Sequence, residues 1–299
     1  MNLADVEALD RLARPKAGPA RFEAPQLPLV TITGGTHHAR LDQLLREVWS
    51  CHELLYFLTW RDVSVRYKQT LLGALWAVLQ PLLSMLIFTL FLGKWVMIPS
   101  DEIPYPLFAF AGLLPWTFFS NAVTSSGNSL VASAHLISKV YFPRVIIPTA
   151  ATLAGLVDLG IAFVLLGPMM LYYGFHALAA WLFLPFLIMF TTILAIAVGL
   201  LFSALNVKYR DVRYALPFLM QLWMFASPVV YPASLVPEKW RLVIAINPMS
   251  GLIAAYRATL FGQHLDVGSL AVSVVVTFAI LIYSIHTFRR VETTFADVV

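Results

Sequence analysis

Between Lys68 and Lys94 the chain runs for 25 residues without a charged side chain. A helix needs about 20 apolar residues to cross the hydrocarbon of a bilayer, so this run predicts a span over 71–92. A second charge-free run, Ile103 to Ser138, is longer than one span requires. Its end (Ser125, Ser126, Gly127, Asn128, Ser129) is polar, which predicts a span over 105–123. Further apolar runs predict spans over 145–172, 180–205, 214–231 and 267–288. Composition agrees: 12% of residues are charged and 60% hydrophobic, against about 25% charged in soluble domains. In hydrocarbon a spanning helix bonds all its backbone groups within itself. The chain therefore reads as an all-α polytopic membrane protein with six transmembrane helices.

Residues 232–266 break the pattern. They are apolar but cut by Pro232, Pro237, Glu238, Lys239, Arg241, Asn247-Pro248 and Arg257. The pieces on either side of Asn247-Pro248 are too short to cross. They read either as a pair of re-entrant half-helices over about 232–258, buried in protein or lining a wet cavity, or as an external loop with surface helices. Lysine and arginine are distributed asymmetrically. Nine precede the first span, two lie between spans two and three, three between spans four and five, and two follow the last, so that sixteen of twenty fall on one face. Cytoplasmic loops carry such an excess, which puts both termini in the cytoplasm. The first thirty residues are charged and lack an apolar signal-peptide core, so membrane entry is expected at an internal, retained span.

The cytoplasmic face has three parts. Residues 1–40 form a polar, proline-containing tail. Over 41–70 an apolar series (Leu41, Leu44, Leu45, Val48, Trp49) lies opposite Arg40, Asp42, Gln43, Arg46 and Glu47. This predicts an amphipathic helix in the interface plane, turning into span one at the charged stretch Trp60 to Lys68. Residues 127–144 carry Leu130, Leu136, Ile137 and Val140 at helical spacing before Pro143. They form either a docking helix for a partner or an anchor whose Lys139 and Arg144 snorkel. Residues 291–299 form a cytoplasmic C-terminus.

Several chemistries lack their residues. No G-x-x-x-x-G-K-[ST] occurs, so ATP is not expected to bind this chain through a P-loop, and neither a H-E-x-x-H nor a G-x-S-x-G is present. The seven histidines are scattered apart from His37-His38, and Cys51 is the single cysteine, so no metal site is expected. A transferase or intramembrane protease has no acid constellation to use. One acid, Asp158, falls half-way along span three. A charge at that depth is a functional candidate by default, as an ion or hydroxyl ligand, or else a buried structural acid bonded to Ser, Thr or Asn of a neighbouring span. A single acid is thin support for an ion-coupled secondary transporter. The aromatics near span ends either form interfacial belts or line a path on which rings stack.

Four motifs carry a resemblance: R-D-V-x-V-R-Y-K-Q-T-L-L-G-A-L-W-A-V-L-Q-P (Arg61 to Pro81), K-V-Y-F-P-R (Lys139 to Arg144), N-V-K-Y-R-D-V (Asn206 to Val212), and P-F-L-M-Q-L-W with S-P-V-V-Y (Pro217 to Tyr231). Over roughly residues 50–290 the chain resembles the type-2 membrane subunits of ABC exporters, in particular the group that exports O-antigen, capsule or teichoic acid. The resemblance implies a permease of the cytoplasmic (inner) membrane that pairs with a second copy of itself and with two copies of a separate ATPase subunit. ATP and Mg would then sit on the ATPase, with no cofactor in this chain and no nucleic-acid partner. Arg61, Asp62, Arg66 and Lys68, with His135, Lys139, Tyr141 and Arg144, become candidates for coupling to that ATPase. The substrate implied is a lipid-linked glycan, with Trp76, Trp116, Phe119, Asp158, Trp223 and Tyr231 as path candidates. Export of a drug or small molecule is the alternative.

Overall fold

The computed structural model describes residues 48–68, 74–100, 103–137, 139, 142–175 and 180–292, and among them all regular structure is helical. The tail over 1–40, residues 41–47 of the interfacial segment, Tyr141 and the end beyond 292 lie outside the described residues. Helix α1 spans His52–Lys68 and α2 spans Ala74–Phe88, continuing as a π-helical segment over Thr89–Trp95. Next come α3 (Tyr105–Ala132), the four-residue α4 (Ala134–Ile137), α5 (Ile146–Tyr172) and α6 (Leu184–Lys208). Helices α7 (Val212–Phe225), α8 (Glu238–Ile246), α9 (Pro248–Phe261) and α10 (Val267–Glu292) complete the chain.

Helix α3 is the centre, packing against α2, α5, α6, α7 and α9. It runs nine residues past the expected end of span two, because the polar groups that suggested an end find partners inside the bundle. Ser129 Oγ donates to the Ser126 carbonyl at 2.7 Å, and the buried Asn206 of α6 donates to the Gly127 carbonyl at 2.9 Å. Opposite Ser126 stands Gly199, where any Cβ would fall 2.7 Å from that of Ser126. The two backbones therefore approach closely, as small residues allow in membrane helix pairs.

Five described helical stretches are long and apolar enough to cross a membrane: Val78–Trp95, Tyr105–Ala132, Ile146–Tyr172, Trp181–Lys208 and Val267–Glu292. The protein is thus an all-α, multi-pass membrane protein. The expected fifth span, 214–231, is only partly helical. Helix α7 has 14 residues, about 21 Å at 1.5 Å per residue, and ends at Phe225, ahead of Pro228 and Pro232, which lack a backbone donor. Connectivity still demands a crossing there. The ends of α6 (Leu200, Ala204, Val207) and α10 (Ile285, Phe288) share one buried cluster with Leu58, Leu130 and Ile146. The chain leaves that end after Lys208 and must reach the other end of α10 at Val267. Helix α7 with residues 226–231 makes this passage.

The α8–α9 pair bends by 91° at Asn247-Pro248, the two short helices expected over 232–258. Asn247 holds the bend. Its Oδ1 accepts from Met249 N at 3.1 Å and Trp223 Nε1 at 3.0 Å, and its Nδ2 donates to Ser227 Oγ at 2.7 Å. One side chain thus caps α9 and ties the bend to the end of α7. Helix α9 stops at Gly262, whose φ of 68° is the left-handed conformation that favours glycine. We expect Asn247→Ala to cost about 1–3 kcal/mol, measured as a lower thermal midpoint of the detergent-purified protein. An unchanged midpoint would show that the bend holds without it.

Candidate functional site

Along α3, residues 105–116 are buried almost without exception. Beyond them, every residue only partly covered up to Ser129 is polar: Thr117, Ser120, Asn121, Thr124, Ser125, Asn128 and Ser129. Spacings of three and four put them on one face. Between Thr117 and Ser129 this central helix thus leaves one strip uncovered, about 18 Å long at 1.5 Å per residue, and over that length it is hydrophilic. Alkyl chains offer such groups no hydrogen bonds.

Part of this strip opens into a cleft of about 340 Å³ between α1, α2, α3 and α5, walled by Arg66 and Tyr67, Trp76 and Gln80, Thr117 and Asn121, and Asp158. Its floor is apolar (Leu114, Phe118, Leu159). Gly155 keeps the wall thin, since a Cβ there would lie 3.3 Å from the Phe118 ring.

At the cleft's edge Arg66 Nη1 donates to Asp158 Oδ2, and the Tyr67 hydroxyl donates to Asp158 Oδ1. Of the two readings of this intramembrane acid, an ion or hydroxyl ligand and a structural acid, the second expects a Ser, Thr or Asn on a neighbouring span as its partner. Its partners belong instead to the end of α1. This contact lies twelve residues beyond the start of α5 at Ile146, while Leu58, eight residues earlier on α1, joins the cluster at that start. The last half of α1 therefore runs alongside α5 in the same direction, clamped at Asp158. Burial first, and then the Asp158 hydrogen bond, push the Tyr67 hydroxyl's pKa up, so it stays a donor to the carboxylate.

The remaining residues singled out by sequence fall in different places. Arg61 pairs with its neighbour Asp62 at 2.9 Å, and Lys68 is exposed at the end of the same helix α1. His135 and Lys139 are exposed in the short connection around α4. Arg144 reaches back across the bundle end, its Nη1 donating to the Glu292 carbonyl at 2.6 Å, a cation on the last carbonyls of α10 where the helix dipole favours one. Trp76 is half-exposed on the cleft. The structure places Trp116 and Phe119 in the core, 4% and 0% exposed, with Trp223 edge-on to both at 6.5 and 5.1 Å. Tyr231 donates to the Phe225 carbonyl at 3.0 Å, closing the turn after α7. Aromatic packing of this kind holds α3 to α7 and does not line the cleft.

Two features escaped the sequence reading. Arg257, counted only as an outer-face cation, is buried. Its Nη1 donates to the Pro228 carbonyl at 2.8 Å and its Nη2 to the Val229 carbonyl at 2.5 Å, with the guanidinium 3.6 Å from the centre of the Phe108 ring. The second is the uncovered face of α7, where Tyr214, Phe218, Leu222 and Phe225 recur at helical spacing. The period of three to four residues is present in the sequence, within the apolar run over 214–231.

Residues 53–261 match the family described as ABC-2 type transporter. Among curated proteins the chain is similar to the O-antigen export system permease protein RfbA of Myxococcus xanthus, 33% identical over 84% of this chain and 97% of that one. It is also similar to a protein of the same name from Klebsiella pneumoniae, 29% identical over 82% and 95%. The polysialic acid transport protein KpsM of Escherichia coli is 24% identical over 78% of this chain and 91% of that protein.

Proposed function

The chain belongs to the ABC-2 type transporter family, and from that premise we propose that it is the membrane permease of an ATP-driven exporter that passes a lipid-linked, O-antigen-like polysaccharide outward across the cytoplasmic membrane. The observation that carries this reading is the hydrophilic strip on α3. A bundle whose central helix leaves a strip of hydroxyls and amides uncovered from Thr117 to Ser129 is built to border water or a hydroxyl-rich cargo at membrane depth. The similarity to O-antigen and polysialic acid proteins selects the cargo class over a drug or other small molecule.

In this reading two copies face each other to close a path, and a separate pair of ATPase subunits binds ATP with Mg at the cytoplasmic face, where both termini lie. This chain contributes no nucleotide site and no cofactor. The ATPase grips the exposed Arg61, Lys68, His135 and Lys139. Because the end of α1 is clamped to Asp158 of α5, a displacement of α1 at the membrane surface moves a wall of the cleft, which is how the nucleotide cycle reaches the path.

Deleting the gene in its native host tests the proposal: surface polysaccharide disappears while its lipid-linked form accumulates inside. Surface polysaccharide at normal level would refute it. In the same strain the triple change Arg61→Glu, Lys68→Glu, Lys139→Glu is expected to leave membrane insertion intact and to abolish both co-purification of the ATPase and export. Export at the wild-type rate would remove these residues from the coupling surface.

A further inference from the structure

The cleft between α1, α2, α3 and α5 contains hydrogen-bonding groups that the chain does not use. Among the described residues the side chains of Gln80, Thr117, Asn121 and Ser125 have no hydrogen-bond partner, and all four line the cleft. Unused amides and hydroxyls at membrane depth are costly unless something supplies partners. Asp158 adds further acceptor positions, since a carboxylate offers about four lone-pair sites and two donors among the described residues occupy it. Its charge is cancelled by Arg66. Trp76 stands half-exposed on the same cleft, a flat apolar surface beside the polar groups.

We propose that this cleft is a carbohydrate station that holds one or two ring units of the passing glycan, a proposal that rests on the exporter reading above and deepens it. The chemistry selects the ligand. Amides both donate and accept, which matches vicinal hydroxyls that do the same. An indole face covers the C–H face of a pyranose, while the apolar floor accepts its other side. The paired Arg66 and Asp158 leave the site without net charge, so neutral hydroxyl-rich rings fit. A pyrophosphate or other anion would have to displace Asp158 from its guanidinium. The cleft's 340 Å³ lies at the small end of ligand pockets, which span about 300–1,000 Å³, so it grips a short stretch and lets a long chain step past.

The test uses the chain with its ATPase in inside-out membrane vesicles, with Cys51→Ala and Thr117→Cys and a water-soluble thiol reagent. Vesicles from cells making the glycan are compared with vesicles from cells blocked in its synthesis, and the latter are also given neutral oligosaccharides cut from that glycan, or sodium pyrophosphate. Glycan or its oligosaccharides should slow labelling about tenfold, pyrophosphate should not, and native Cys51 in the otherwise unaltered chain should label equally in all cases. Trp76→Ala or Asn121→Ala should each weaken protection about three- to tenfold, and Trp76→Phe should retain most of it. Normal labelling without glycan shows that a variant has folded. Equal labelling with and without glycan overturns the proposal, as does protection by pyrophosphate alone. If either occurs while gene deletion still removes surface polysaccharide, the exporter reading stands and only the station falls. If deletion leaves the polysaccharide in place, both fall.

Discussion

Replacing Asp158 by alanine destabilises the protein by about 1–3 kcal/mol and strongly impairs export, and replacing Arg66 by alanine does the same. Each single change removes one half of the ion pair between α1 and α5 and leaves the other charge at membrane depth. Fully buried pairs lose more when broken, but this one keeps 35% and 21% of its two side chains exposed, and water in the cleft screens the survivor. The double variant Arg66→Ala, Asp158→Ala removes both charges and should cost less than the two single changes added together. The coupling should lie within about 0.5–3 kcal/mol, the range for directly contacting groups. Tyr67→Phe, which removes one neutral donor, should cost less than either. Thermal unfolding of the purified permease measures stability, and surface polysaccharide measures export. Strict additivity would show that α1 is not clamped to α5 by this pair. A double variant that recovers stability but not export would assign the pair a coupling role besides a structural one.

This pair also marks where the sequence stops being readable. Asp158 stood out, because one acid in an apolar run is conspicuous. Arg66 stood out too, as one cation among several at the start of the first span. Nothing in either neighbourhood links them. Their 92-residue separation closes only when α1 packs alongside α5, and that depends on packing around Leu58 and Ile146. The spans themselves were legible because charge marks their ends: Lys68, Arg144, Lys208 and Arg289 each fall near a helix boundary. Polarity inside a span was harder to read. Ser125 to Ser129 looked like the end of a span, yet they continue α3, because Asn206 and Gly199 meet them from α6. The series Thr117, Asn121, Thr124, Asn128 had the period of a helix face. It was obscured by the aromatics around it, which looked like the better cargo surface. Trp116 and Phe119 went into the core because α3 is surrounded on its other sides, a fact of topology and not of residue type.

Gly112 offers a severe single-residue test of how the bent α8–α9 pair is held. A methyl group added there would run into the Val229 carbonyl oxygen and come within 2.5 Å of Arg257 Nη2. Neither obstacle yields easily. The first is backbone, and the second is a guanidinium fixed by the Pro228 and Val229 carbonyls and stacked on Phe108. Gly112→Ala must therefore push the 228–230 segment off α3 or tear Arg257 from its acceptors. Overpacking costs about 1–3 kcal/mol, and a buried cation that loses its carbonyls adds to that, so the expected loss is about 3–5 kcal/mol with little folded protein recovered. Arg257→Met, which removes the charge along with its bonds, should cost less than Gly112→Ala, because no atom is then forced into occupied space. The same substitution at Gly160 or Gly167 of α5, where an added Cβ meets nothing within 4 Å, should stabilise by about 0.5–1 kcal/mol through helix propensity alone. Three glycine-to-alanine changes in spanning helices thus divide by sign according to what stands opposite each. If Gly112→Ala unfolds at the wild-type temperature, α3 does not carry the 228–230 segment and the Arg257 lock is looser than its geometry requires.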